Sequence, residues 1–374
     1  MTGISRRGLL RAGAAALATP AVLRAHDALA SSGTVNVYAW EDYFANNTLL
    51  ADFNNATGID VKLATYGSNA EAEARLRSAG GKGIDVFFPS VDTGPNYYRD
   101  GLLQPIDERR FDASRVVTPI YRSSQALGAL DKGRRYLVPF DWGTEGLTWD
   151  STKIDKVAGQ ISYGDMWKAG LTKQVVVRPV SVFNGVALYL DATGVLPSNR
   201  GLDLYKSEAD SRRVFEGCLA FINAHRSNIG AFWTDATEAR AAFVSGGCTI
   251  GQTWDSTGIL LGRSSGPNWK YGMPKEGGLG WTDTFAIPAG AANAAQAYEL
   301  MNFLYQPENG ALFTNTTGYN SCVSGSENYL SAGAHAAFRA AYPPGSFDKM
   351  FWWPIQTDFY ARLRAEYAAK LTQG

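Results

Sequence analysis

The chain has 374 residues and equal numbers of basic and acidic side chains, 35 of each. A balanced charge leaves no basic footprint for nucleic acid or for an anionic membrane surface, and a chain this long exceeds one comfortable core, so two domains are expected. Ten tryptophans, 18 tyrosines and 18 phenylalanines leave flat aromatic surface for a binding cleft even when most of it is core.

At the N-terminus, Ser5-Arg6-Arg7-Gly8-Leu9-Leu10-Arg11 has the twin-arginine signal form. A weakly apolar run over 12–23 follows, then Ala28-Leu29-Ala30, a small-x-small cleavage site. The run is too short and too alanine-rich to span a bilayer. Residues 1–30 therefore read as a signal peptide cleaved near Ala30, with the mature protein working in the periplasm. Its loss removes four arginines and one aspartate and leaves a slightly acidic chain.

Residues 35–44, VNVYAWEDYF, alternate like a strand and end in rings and carboxylates. In open α/β sheets ligands sit outside the carboxyl ends of strands, so Trp40, Glu41, Asp42 and Tyr43 face a crevice. Ring faces and carboxylates suit a cation. Next, Asn47 caps a helix carrying Leu49, Leu50 and Phe53, which Gly58 ends. A strand over 59–65, a charged helix over 71–79 and a strand over 84–89 complete a βαβαβ pattern with a parallel sheet. Ser90 and Asp92 lie just past the third strand. Tyr97-Tyr98 resembles tandem ferric-ion ligands, but between Pro95 and Gly101 it reads as a packing pair.

Residues 136–150, YLVPFDWGTEGLTWD, are apolar and interrupted by Gly143 and Gly146, as expected where the chain crosses a hinge between domains. A second α/β pattern follows. It has a strand over 174–178, helices over 184–193, 208–228 and 238–244, and a strand over 248–253. Trp254-Asp255 at the end of that strand repeats the ring-plus-carboxylate pattern. Residues 274–288, PKEGGLGWTDTFAIP, place Trp281 and Asp283 at the start of another strand, and a helix over 294–305 follows. Cys218, Cys248 and Cys322 allow at most one disulfide and read as buried small residues. His225 and His335 lack metal-ligand spacing. No HExxH, GxxxxGK[ST] or dinucleotide motif is present.

YAWEDYF at 38–44, FFPS at 87–90, PFDWGTEGL at 139–147, KEGGLGWTDTFAIP at 275–288, NFLYQPE at 302–308 and TGYN at 317–320 together carry a resemblance across nearly the whole mature chain. The chain resembles the periplasmic spermidine/putrescine-binding proteins of ABC importers, within the family 1 extracellular solute-binding proteins. The resemblance implies an α/β, two-lobed, type II-like fold with two mixed sheets joined by a hinge and a ligand cleft between the lobes. Lobe 1 takes 31–139 plus 283–325, and lobe 2 takes 140–282 plus 326–374. It implies a monomeric receptor without enzymatic activity, cofactor or metal, which closes on a small amine and docks on a membrane permease. Trp40, Tyr43, Trp254, Trp281 and Tyr319 match the family's aromatic box, Asp42 and Asp283 its amine-binding carboxylates, and Ser90 its polar contact.

One departure stands out. Where spermidine binders carry acids, this chain has Arg178-Pro179-Val180-Ser181-Val182-Phe183, and no carboxylate occurs between Lys173 and Leu190. Asp92, Glu145 or Asp255 would have to supply the missing counter-charge. Alternatively, Arg178 faces the cleft and holds a carboxylate, and the solute is a zwitterion such as an ω-amino acid or betaine. Glu41 and Phe183 complete the candidate contacts. A secreted glycosidase using Asp42 and Asp283 as acid and base is the enzymatic alternative.

Overall fold

The computed structural model describes residues 33–373, so the expected signal peptide lies outside the described residues. Strand β1 (Thr34–Trp40) is the centre of a three-stranded parallel sheet, flanked by β2 (Asp60–Tyr66) and β3 (Val86–Phe87). Its crossovers are α1 (Thr48–Thr57), which buries Leu49, Leu50 and Phe53, and α2 (Asn69–Ala79). Asn47 precedes α1 in a left-handed conformation, φ 54°, and makes no side-chain cap, contrary to the sequence expectation. The true cap of this lobe is Ser68, whose hydroxyl accepts from Glu71 N–H. It starts α2 two residues earlier than expected and so brings Asn69 to the end of β3.

The second sheet is built on β4 (Val138–Asp150), 13 residues that run unbroken through Gly143 and Gly146. Rather than interrupting the strand, these glycines permit close packing. A Cβ on Gly143 would lie 2.4 Å from the Trp281 ring, and one on Gly146 would lie 2.7 Å from the Tyr271 hydroxyl. Further along the chain come β5 (Val175–Val177), β6 (Ile229–Phe232), β7 (Ile250–Trp254), β8 (Trp269–Gly272), β9 (Leu279–Phe285), β10 (Asn320–Ser321) and β11 (Phe351–Trp352). The main path is β11-β9-β4-β7-β5-β6, with β8 and β10 also paired to β4. This sheet is mixed: β4 is antiparallel to β7 and β9, whereas β5 is parallel to both neighbours. The two sheets are stitched by isolated bridges, Phe87 to Ala286 and Ser90 to Asp283. The α/β architecture is as expected, and the N-terminal sheet is parallel, as its βαβαβ pattern predicts, rather than mixed as the resemblance implies.

Two apolar cores lie on either side of β4. One gathers Val35, Phe53, Phe87, Phe140 and Leu300, and the other gathers Leu147, Val175, Phe183, Phe215 and Tyr360. In the second, α3 (Val182–Ala192), α4 (Glu208–Ala224) and α9 (Asp358–Gln373) pack together, with Phe215 stacked on Tyr367 at 5.0 Å. Between α4 and α9 the chain also forms α5 (Ala236–Val244), α6 (Asp255–Ser264), α7 (Ala294–Leu304) and α8 (Pro307–Thr317). Each fully buried Leu, Val or Phe adds roughly 1.5–3 kcal/mol over its exposed state. Cys218, Cys248 and Cys322 are buried and unpaired.

Asp85 locks the first core. Its carboxyl accepts from the backbone N–H and side-chain amide of both Asn36 (2.8 and 2.7 Å) and Asn293 (2.9 and 3.0 Å). Burial raises its pKa, but these four bonds outweigh it and hold the group below its ordinary value. Asp85→Ala should therefore cost about 3 kcal/mol in urea unfolding, because it orphans buried donors. A loss under about 0.5 kcal/mol would contradict this role. Because the folded pKa is lowered, this stabilisation is present above the unfolded carboxylate range and is lost as pH falls through the folded pKa.

Candidate functional site

A cleft opens where β1, β3, β4, β5, β7 and β9 end or cross, with rings, carboxyls and guanidiniums in its lining. Three of its walls are rings. Trp40 donates its indole N–H to Phe88 O at 2.8 Å and meets the Trp254 ring edge-on at 5.9 Å. Trp281 lies across Gly143, its cross-strand partner, and packs edge-on against Tyr319 at 5.3 Å. Tyr43 sits beneath, ringed by Phe44, Phe88, Phe140, Phe313 and Tyr319.

Asp283 is the carboxyl that this frame presents. Between Asp283 and Thr284 the register skips Phe140, which marks a bulge in β4 beside Asp283, a feature that re-aims side chains. One oxygen accepts from Ser90 Oγ at 2.5 Å, and Ser90 in turn is held by both ends of the Asn69 amide at 2.8 and 3.1 Å. The other oxygen lies 2.8 Å from the Tyr43 hydroxyl, which is also 2.7 Å from Asp141 Oδ1. Asp141 is directly opposite Asp283 in the β4–β9 register. A phenol has one hydrogen to give, so one of the two carboxyls must carry a proton and donate back to it. Asp283 has a second donor and Asp141 Oδ2 has none. The proton therefore belongs on Asp141 and the charge on Asp283. Burial, then the charge of Asp283, pushes Asp141 well above the carboxylate range. Burial also raises Asp283, to about 7, against the lowering pull of Ser90 and Tyr43.

The opposite wall is cationic, with Arg178 in the cleft lining. Arg178, one residue past β5, places its guanidinium 4.6 Å from the Trp254 ring centroid and 5.1 Å from that of Trp233. Burial lowers its pKa to about 10, which leaves it charged at neutral pH. Trp254 thus already carries a cation and is not a free wall for an ammonium group. Glu145 also lines the cleft, with one oxygen engaged by the Ser181 hydroxyl and by Gln252 Nε2 at 2.6 Å. Asp92 accepts from Gln356 Nε2 at 2.7 Å, and burial raises its pKa.

Four of the sequence candidates fall outside the cleft lining. Asp42 sits behind the ring it supports, accepting from the Tyr319 hydroxyl at 2.8 Å, and burial raises its pKa to about 6. Asp255 opens α6 immediately after β7. The turn rotates it away from the crevice and beneath β4, where Tyr342 donates to it at 2.6 Å. Burial raises its pKa to about 7. Glu41 points outward and accepts from Thr237 N–H and hydroxyl at 3.3 and 3.4 Å. Phe183 faces into the second core, against Phe215 at 5.3 Å. Tyr97 and Tyr98 pack on Phe87 and Tyr136.

Five residues at or under the site were not anticipated: Asn69, Asp141, Trp353, Gln356 and Arg364. Asp141 was visible as one of three acids in the otherwise apolar run over 136–150. The last three come from the C-terminal stretch, where Trp353 N–H bonds Gly280 O at 3.1 Å and Gln356 N–H bonds Asp92 O at 3.2 Å. The aromatic cluster Trp352-Trp353-Pro354 was the signal available there.

The family model of the bacterial extracellular solute-binding proteins matches residues 48–338. The chain is 27% identical to the spermidine/putrescine-binding periplasmic protein of Salmonella typhimurium, over 98% of each. It is 25% identical to the putrescine-binding periplasmic protein PotF of Escherichia coli, over 92% of this chain and 93% of PotF. Among solved structures, the spermidine/putrescine ABC transporter substrate-binding protein PotD of Streptococcus pneumoniae superposes with a TM-score of 0.71. That match has 20% identity and covers 91% of this chain and 98% of PotD.

Proposed function

Because the chain belongs to the bacterial extracellular solute-binding proteins, we propose that it is the receptor of an ABC importer and captures a small aliphatic amine of the polyamine type in the periplasm. The observation that carries this reading is Asp283, held by Ser90 and Tyr43 among the rings of Trp40, Trp281 and Tyr319. An ammonium group placed there gains a charge-assisted hydrogen bond and the ring quadrupoles, each worth about 1–3 kcal/mol in a desolvated site. The names of the relatives support the same class. The twin-arginine segment would export the folded chain, with cleavage near Ala30 and delivery to a permease in the inner membrane. Lobes 31–139 plus 283–325 and 140–282 plus 326–374 would close on the solute. The Asp92–Gln356 and Glu41–Thr237 bonds are contacts that favour the closed state.

Binding without turnover fits the site better than glycoside hydrolysis does. Asp42 stands behind Tyr319, and the two carboxyls nearest each other, Asp141 and Asp283, are bridged by one hydroxyl rather than set about 5–9 Å apart across a sugar. A thermal-shift screen with 1,4-diaminobutane, spermidine, agmatine, 4-aminobutanoate, betaine and glycosides tests the reading. At a hundredfold excess over Kd, a ligand of the native state adds about 2.7 kcal/mol and raises Tm by a few degrees. Shifts confined to amines are expected. Shifts only with glycosides, accompanied by hydrolysis, would overturn it.

A further inference from the structure

The cleft holds three carboxyls, Asp92, Glu145 and Asp283, against two guanidiniums, Arg178 and Arg364. A pocket evolved for a diammonium ion alone gains nothing from half-buried arginines in its lining, which repel the ligand. Among the described residues, neither arginine forms an ion pair with a carboxylate. The Glu145 oxygen that bonds Ser181 and Gln252 stays on its own strand framework, and Arg364 Nε is committed to Val180 O at 2.7 Å. Arg178 Nε is buried without any acceptor, as is the indole N–H of Trp281 on another wall. Glu145 is close enough to raise Arg178, and Arg364, with a smaller effect, is close enough to depress it. Two like charges on one wall, one of them with an orphaned donor, define a place for an anion.

Resting on the reading of the cleft as an amine receptor, we propose that its solute carries a carboxylate as well as an ammonium group, with the ammonium on Asp283 and the carboxylate on Arg178. Trp254 serves the carboxylate end: by stacking on Arg178 it fixes the plane of the guanidinium that would fork onto the two oxygens. Arg364, packed over Trp353 at 5.2 Å, adds a second positive charge on that side. The preferred class is therefore the ω-amino acids and diamino acids, with simple diamines as weaker ligands.

The test is titration calorimetry of the wild type and Arg178→Gln with 1,4-diaminobutane and 4-aminobutanoate, a pair that differs in one end group, and with ornithine, which carries both. The wild type should bind at least one of the carboxylate ligands about tenfold or more tighter than the diamine. Arg178→Gln should weaken the carboxylate ligand by about thirtyfold and tighten the diamine a few-fold, since it removes a cation. Opposite movements of two ligands on one variant cannot come from misfolding, and the melting temperature checks this independently. If diamines bind more tightly and Arg178→Gln moves both ligands in parallel, the carboxylate assignment is wrong while the amine receptor stands. If no amine of either kind binds the wild type, both fall.

Discussion

Asp283→Asn is expected to weaken an amine ligand by about a hundredfold or more, the cost of truncating one partner of a buried charge pair. The substitution keeps the size of the side chain and a carbonyl oxygen for Ser90 or Tyr43, so the fold should survive while the counter-charge is lost. The informative contrast is Asp141→Asn. Asp141 is placed as the protonated member of the pair, donating to the Tyr43 hydroxyl while that hydroxyl donates to Asp283. An amide N–H can replace the acid O–H in that position, so Asp141→Asn should change affinity by less than about threefold. The two isosteric changes sit on adjacent strands, opposite each other, yet they should differ by more than an order of magnitude. Equal effects, or a larger loss for Asp141→Asn, would place the charge on the wrong carboxyl.

The second large effect is on pH dependence. Burial raises the pKa of Asp42 to about 6 and of Asp255 and Asp283 to about 7, and it raises Asp92 and Asp141 as well. A carboxyl whose folded pKa lies above its unfolded value binds more protons in the folded state. Its stabilisation is complete below the unfolded pKa and is lost as pH rises through the folded one. The ligand-free protein should therefore become less stable between about pH 5 and 8. A raised carboxyl costs about 1.4 kcal/mol for each pH unit that separates its folded and unfolded pKa values. Relaxation around these buried groups absorbs much of that, and together they amount to something on the order of 5 kcal/mol, enough to lower Tm by several degrees. Asp85 works in the opposite sense only in the acid range, where its lowered pKa lies. Ligand affinity should run the other way: the ammonium needs Asp283 ionised, so binding weakens as pH falls through its raised pKa, by up to about tenfold per pH unit below it. The Tm shift produced by a saturating amine should accordingly grow with pH. A ligand-free protein that gains stability from pH 5 to 8, with affinity flat over the same range, would contradict these carboxyl assignments.

Part of the candidate site was legible because cleft-lining residues of an open α/β sheet stand at strand ends, as Trp40, Tyr43 and Ser90 do. Trp281 and Asp283 lie inside β9 rather than at its start, and Tyr319 just before β10, so these three were legible from the motifs around them. The misses have two physical sources. Asp42, Asp255 and Glu41 lie one residue from a position that does face the cleft, and where a strand gives way to a turn or helix a single step reverses the direction of the side chain. Asp141, Gln356 and Arg364 depend on pairings that no local pattern encodes. Asp141 acquires its role only from the register that sets it against Asp283, and Gln356 only because the C-terminal stretch returns to the end of β3. The glycines of β4 do not interrupt the strand: Gly143 and Gly146 are places where an indole and a phenol approach it, a consequence of packing that composition does not distinguish from a break.

The central claim is that Asp283 receives the ammonium group, and crystals grown with 4-aminobutanoate and, separately, with 1,4-diaminobutane test it most directly. The account predicts a nitrogen about 3 Å from Asp283, flanked by Trp281 and Tyr319, with the carboxylate of 4-aminobutanoate on Arg178. A ligand bound with its carboxylate toward Asp283, or with its nitrogen on a wall that excludes Asp283, would contradict it.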